Sequence, residues 1–190
     1  NKAVRIGQAL TLLSTNAGAP IAIIEGQPIG VFYGAFFALD ANGGLVKNGS
    51  GFPQGERGVQ NSALVFTPQR DPVTGLPITT FPLVRKVLGD PNPDYTASLV
   101  NEITFKKLSL RVQLDAVQGL EVWNADWRTR QGVGNGKEAE KEQTGVYPRG
   151  YINSFYGTVE EWRIDDGSFV KLREVSLSYA FGDWKKVKDI

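Results

Sequence analysis

The chain has 190 residues, with 21 basic against 20 acidic side chains and a formal net charge of +1. It shows no basic stripe that would suggest nucleic acid and no acidic tail that would suggest a basic partner. Cysteine and histidine are both absent, which excludes a disulfide framework, a thiolate nucleophile, a Ser-His-Asp triad and histidine ligation of zinc.

Hydrophobic residues at 41% are enough for a core, and 22 glycines and 10 prolines favour turn-rich β structure over helical bundles. The length allows one ordinary domain or two small ones. No apolar run approaches the ~20 residues of a transmembrane helix; the strands of a membrane barrel are shorter and only alternately apolar. With no methionine and a start at Asn1 without a signal peptide, the expectation is a fragment or processed piece.

Residues 1–24 alternate loosely, with Val4, Ile6, Ala9, Leu10, Leu12 and Leu13 as apolar positions. This predicts a strand near the start and a second over 21–24. Residues 27–37 are aromatic-rich and interrupted at Gly30 and Gly34, the pattern of a bulged strand with a packed aromatic face. Residues 38–93 are rich in glycine and proline and weakly periodic, with one short strand expected over 84–88. A connection of that length is odd in a compact domain and ordinary for an outer loop of a barrel. The two prolines of residues 90–94 preset a rigid turn.

Next come two segments separated only by Lys106 and Lys107. Tyr95–Phe105 places Ala97, Leu99, Ile103 and Phe105 at odd positions and Thr96, Ser98, Glu102 and Thr104 at even ones. Leu108–Gln118 places Leu108, Leu110, Val112, Leu114 and Ala116 at even positions and Ser109, Arg111, Gln113 and Asp115 at odd ones. Strict alternation means two strands, each with an apolar and a polar face. Each is about as long as a tilted strand needs to be to cross a bilayer. A water-soluble sandwich shows the same pattern.

Over residues 119–130 the positions of Val122, Trp123 and Trp127 predict a short surface helix. Residues 131–150 are expected to form a solvated loop, and residues 157–162 fit a helical turn or an extended stretch equally. Residues 168–181 return to strand character, with clean alternation at Val175, Leu177, Tyr179 and Phe181. Residues 182–190 read as a turn, and no internal repeat of fixed period is expected.

Three stretches resemble, in order, landmarks of the carboxy-terminal barrel region of the SusC/RagA family of TonB-dependent outer-membrane transporters. They are Gly26-Gln27-Pro28-Ile29-Gly30-Val31-Phe32-Tyr33-Gly34, Gly89-Asp90-Pro91-Asn92-Pro93-Asp94-Tyr95, and Ile164-Asp165-Asp166-Gly167-Ser168-Phe169-Val170-Lys171-Leu172-Arg173 running on to Tyr179. Each alone is a weak match; three in family order are specific.

The resemblance implies an all-β chain: about five antiparallel strands of a transmembrane β-barrel of roughly 22 strands, with short turns and extracellular loops near 38–93 and 119–166. The family's plug domain and TonB-contacting segment would lie upstream, and its final strands downstream. Leu99, Ile103, Phe105, Leu108, Leu110, Val112 and Leu114 would then face lipid, and Glu102, Thr104, Arg111, Gln113 and Asp115 the lumen or plug. A charge on the lipid face near the midplane costs ~2–4 kcal/mol for Arg or Lys. Lys106-Lys107 would form a periplasmic turn. Tyr95, Tyr179, Phe181 and Trp184 would join aromatic girdles, although ordinary strand packing accounts for them nearly as well.

The function implied is uptake of oligosaccharides or peptides across a Gram-negative outer membrane, driven through TonB beneath a SusD-like lipoprotein, with no cofactor. Trp123 and Trp127 would stack on sugar faces, with Arg128 or Arg130 donating hydrogen bonds; alternatively a small helix simply packs the two tryptophans on neighbouring loops. The family's calcium-like cluster is only partly present, because Asp40, Asn42 and Gly43 match while Gly44 replaces the second acid. A simple glycine turn is expected there. Glu160, Glu161, Asp165 and Asp166 could supply a glycosidase pair, but adjacent acids on a turn are usually just solvated, and no enzyme is expected. The rival from another class is a soluble, surface-exposed β-rich binding or adhesion module.

Overall fold

The computed structural model describes residues 10–14, as backbone, and residues 20–181. The strand expected around Val4 and Ile6, the turn at 182–190 and the girdle position Trp184 lie outside the described residues. In chain order the elements are β1 (Leu10–Ser14), β2 (Pro20–Ile24), β3 (Val31–Ala35), β4 (Gly58–Gln60), β5 (Phe66–Pro68) and β6 (Arg85–Gly89). They continue as β7 (Tyr95–Phe105), β8 (Leu108–Gln118), β9 (Glu121–Trp123), α1 (Ala125–Gly132), α2 (Lys137–Gln143) and α3 (Tyr151–Phe155). A 3-10 turn at Glu161–Arg163, β10 (Ile164–Asp166) and β11 (Phe169–Tyr179) complete the described chain. The protein is mainly antiparallel β structure.

The chain divides into two compact units. One comprises the residues up to Asn92 together with Glu121–Asp166; the other comprises Pro93–Leu120 and the residues from Gly167 on.

The first unit contains an antiparallel sheet in the order β1-β2-β3-β6. The expected bulge in the aromatic strand is present: the β3–β6 register shifts between Phe32 and Tyr33. Ala22, Ile24, Val31 and Tyr33 form one core cluster, and Tyr151, Ile152, Phe155 and Val159 a second. Gly34 is needed for close approach, because a Cβ there would lie 2.9 Å from the Cβ of Glu160. A side chain, rather than another backbone, presses on β3 at that point.

Residues 38–93 are more ordered than their composition suggests. Leu39 pairs with Leu45, Lys47 with Pro53 and Phe37 with Gly55. Ala38 N–H donates to the Gln54 carbonyl, Gln54 N–H to the Val46 carbonyl and Val46 N–H to the Ala38 carbonyl, at 2.8–2.9 Å. The three residues are evenly spaced in sequence and close a ring.

Between the ring positions stand two lobes of the same construction. Asp40 Oδ1 accepts from the N–H of Asn42 and Gly44, and Asn48 Oδ1 accepts from the N–H of Ser50 and Phe52. Gly43 and Gly51, at equivalent places, have φ of 81° and 80°, which glycine takes without Cβ strain. A short internal repeat therefore exists, contrary to expectation. Only an Asp-or-Asn and the glycine three residues on carry it, too little for self-comparison of the sequence to register.

Two further expectations need correction. Residues 119–130 are not one helix: Glu121–Trp123 pairs with β10, and Asn124 caps the helix by accepting from Trp127 N–H at 2.8 Å. Asparagine is a strong N-cap, so Trp123 lies before the helix and Trp127 within it. Residues 131–150 are not simply a loop, since α2 is built from good helix formers, KEAEKEQ, with a Glu138–Lys141 pair. The 3-10 turn settles residues 161–163 in favour of helical geometry.

Candidate functional site

In the second unit, β11, β8 and β7 form a three-stranded sheet. The two-residue turn at Lys106-Lys107 sets the β7–β8 register, with Phe105 opposite Leu108 and Tyr95 opposite Gln118. Residues directly opposite each other share a face. Leu99, Leu114 and Leu172 therefore lie in one row, Ile103, Leu110 and Leu177 in another, and Phe105, Leu108 and Tyr179 in a third. Asn101, opposite Val112, is the polar exception.

Between Leu172 and Glu174 the β11 register shifts, leaving Arg173 as an extra residue. That bulge puts Val170 and Leu172 on the same face as Val175, Leu177 and Tyr179, despite their change of parity. The apolar face is open: Ile103 is 61%, Leu172 61% and Leu177 67% exposed. None of the described residues of this unit is buried.

The opposite face carries the hydrogen-bonding groups. Glu102 lies across from Arg111, Val100 from Gln113, and Ser98 from Asp115. Arg111 reaches Glu174 at 3.3 Å and Glu102 at 4.0 Å. Asp115 accepts from Ser98 Oγ, from Gln113 Nε2 at 3.2 Å and from Arg173 Nε at 2.8 Å. Thr104 Oγ1 and Ser109 Oγ are 3.0 Å apart. Each exposed ion pair contributes at most about 1 kcal/mol; together they give the face a fixed polar pattern.

In the first unit the four predicted recognition residues are not gathered into one site. The Trp123 ring lies beneath the Arg163 guanidinium, 3.8 Å from its centroid. Trp127 packs edge-on against Trp162 at 5.6 Å. Arg128 sits over the Tyr156 ring at 4.8 Å, and Arg130 pairs with Asp126 at 2.7 Å, one helical turn away.

Around Trp127 is an aromatic cluster that sequence reading overlooked. Tyr147 stacks on Tyr151 at 4.1 Å, and Phe155 meets Tyr151, Trp162 and Phe37 edge-on. Tyr147, Tyr151 and Phe155 recur at spacing four, a periodicity visible in the sequence, although only Tyr151 and Phe155 lie on α3. The cluster frames a recess of about 150 Å³ whose lining includes Phe37, Trp127, Tyr151 and Trp162. The Trp162 Nε1–H is buried with no partner among the described residues.

Beside it, Lys141 donates to Glu138 at 2.8 and 2.9 Å. That bond holds the Glu138 carboxyl below its ordinary value and the ammonium of Lys141 above its own. Burial raises the Tyr151 hydroxyl, and burial next to Arg128 lowers the Arg163 guanidinium.

The carboxylates weighed for catalysis are engaged elsewhere. Glu160 Oε2 accepts from Ala35 N–H at 2.7 Å, and Glu161 Oε2 from Phe37 N–H at 2.9 Å while pairing with Lys86. Asp165 Oδ2 accepts from Asn124 Nδ2 at 2.6 Å. Asp40 is occupied by its own turn, and among the described residues no group of three or more acidic side chains is placed to hold a metal ion. No protein-family model and no curated protein matches this sequence.

Proposed function

We propose that the β7–β8–β11 sheet is a section of the wall of a transmembrane β-barrel, and that the chain belongs to an outer-membrane importer of the SusC/RagA type. The observation that carries the reading is the two-faced sheet, apolar and open on one side, hydrogen-bonded and charged on the other, with no buried residue of its own. Three strands of eleven residues at about 3.3 Å per residue, tilted by ~45°, give a band of about 25 Å, the height of the apolar belt of such barrels. In water that face would be a large unpartnered apolar patch; in a bilayer it needs no partner. The free edges of β7 and β11 require further strands, because lipid cannot satisfy open backbone groups.

The two-residue turn between β7 and β8 then faces the periplasm, and the longer connections face outward. In this reading the loops of the first unit meet substrate, and loops on a rigid scaffold are the common place for recognition. The family resemblance gives the cargo as oligosaccharide or peptide, the energy source as TonB acting on a plug, and the outer partner as a SusD-like lipoprotein.

The test uses single cysteines, which this cysteine-free chain permits. In the complete polypeptide in outer membranes, cysteines at Leu99, Leu110 and Leu177 should react with a bilayer-restricted reagent and resist a water-soluble one. Cysteines at Ser98, Gln113 and Ser176 should do the reverse. Equal reaction of both sets with the water-soluble reagent, or a monodisperse, cooperatively melting monomer without detergent, would favour a soluble binding module instead. Import itself is tested by TonB-dependent uptake of labelled oligosaccharides and peptides.

A further inference from the structure

We propose that the β7–β8 turn binds the phosphate of a membrane glycerophospholipid, with Lys106 and Lys107 as its cationic partners; this rests on the barrel reading above. Among the described residues with positive φ, nine are glycines and one is Lys106, at φ 55°. A two-residue hairpin turn asks for glycine or asparagine at such a position, and any other L-residue is strained there. The hairpin therefore gains nothing from a lysine at that place, and backbone strain of this kind clusters where a side chain has work to do.

Among the described residues neither the Lys106 nor the Lys107 ammonium lies within ion-pair distance of a carboxylate, whereas Lys86 and Lys141 both do. Lys106 Nζ instead rests 5.3 Å over the Phe105 ring. The turn is fastened to the end of β11, where Ala180 N–H donates to the Lys107 carbonyl at 2.8 Å. Phe105, Lys106, Lys107, Leu108 and Tyr179 line one recess of about 360 Å³, and Phe181 packs edge-on against Tyr179 at 4.9 Å.

Cations thus rim a floor of aromatic and aliphatic side chains. A glycerophospholipid has the matching order of parts: an anionic phosphate, then a glycerol backbone, then acyl chains that run along the apolar rows of the sheet. Aromatic side chains and lysines at the interface suit both portions. A lysine near an anionic membrane surface contributes about fivefold in binding, so two should produce clear selectivity. On the periplasmic side the lipid comes from the inner leaflet.

The complete polypeptide, reconstituted in phosphatidylcholine vesicles, would carry a fluorophore on a single cysteine at Phe181, which shares the parity of Tyr179 and packs beside it, or at Leu110. Quenching by phosphatidylglycerol and by phosphatidylcholine, each brominated on an acyl chain, is then compared. At Phe181 the anionic lipid should associate at least fivefold more strongly, and the Lys106→Gly, Lys107→Gln variant should bring the ratio to about one. Lys106→Gly relaxes the turn, so the variant should still assemble, and quenching at Leu110 verifies that it has. Strong quenching at Leu110 with no preference at Phe181 would overturn the lipid site and leave the barrel reading standing. No quenching at Leu110 by either lipid would overturn both.

Discussion

Leu172 and Val175 lie on the same face of β11 although they are an odd three positions apart, because Arg173 is bulged out of the register with β8. Leu172 stands opposite Leu114, and Val175 opposite Val112. One extra residue thus keeps ten paired positions in phase with a neighbour whose own alternation is unbroken. The bulged side chain then turns to Asp115 on the polar face.

Deleting Arg173 should be far more damaging than replacing it. Without the extra residue, Val175, Leu177 and Tyr179 move to the polar face or the first half of the strand slips. The Arg173→Ala variant loses only an exposed ion pair, about 0.2–1 kcal/mol. For the barrel proposed above, heat-dependent electrophoretic mobility of the complete polypeptide, a measure of assembly, should be lost in the deletion and kept in Arg173→Ala. Equal behaviour of the two would show that the bulge does not set the strand's phase.

Gln131 supplies a long-range cap. Its side chain is buried, and Oε1 accepts the N–H of Ala139 in the first turn of α2 at 2.9 Å. Gln131→Leu leaves that N–H buried and unpaired, a cost of about 1–2 kcal/mol. Hydrogen exchange over residues 137–143 should accelerate roughly tenfold, while Gln131→Glu, which keeps the acceptor, should change little.

Asp40 and Asn48 hold equivalent turns with the same two backbone bonds. Asp40→Asn should therefore be nearly silent, and Asp40→Ala should loosen its lobe by about 1 kcal/mol. Limited proteolysis within residues 38–54 reads the difference. A large loss in Asp40→Asn would show that the charge itself matters.

The Glu138–Lys141 pair sets a pH window for the aromatic cluster. Unfolded Glu138 titrates near its ordinary 4.5 and the folded group lower, so below 4.5 the unfolded state binds more protons and stability rises with pH. The contribution is complete above 4.5 and is lost as pH falls through the folded value. Lys141 works in the opposite sense: its contribution is complete below 10.5 and is lost as pH rises through a higher folded value. Tryptophan fluorescence of the cluster should follow both limbs, and Glu138→Gln should flatten the acid one.

The β7–β8 hairpin was legible to the residue, because a side-chain period of two and a two-residue turn leave one register consistent with both faces. The β11 strand was half legible. Its clean alternation from Val175 onward was visible, whereas the bulge at Arg173 that brings Leu172 into the same face shows only in the pairing with β8. Trp123 and Trp127 were misread as one helix because a spacing of four mimics a helical turn; the Asn124 cap between them carried the correction. In α2, flanking glycines concealed a run of good helix formers. Contacts such as Glu160 to the Ala35 N–H join residues far apart in sequence and leave no local pattern. The aromatic cluster was missed for the same reason, apart from its Tyr147–Tyr151–Phe155 stripe.

Ala38, Val46 and Gln54 satisfy one another's backbone groups in a closed circuit, so nothing at the lobe tips is needed to hold the centre together. Positions Ala41, Asn42, Gly49 and Ser50 can therefore be rewritten while Asp40, Gly43, Asn48 and Gly51 keep each lobe's shape. The segment is a ready-made scaffold for engineering: two adjacent display positions, re-addressable without repacking what lies beneath.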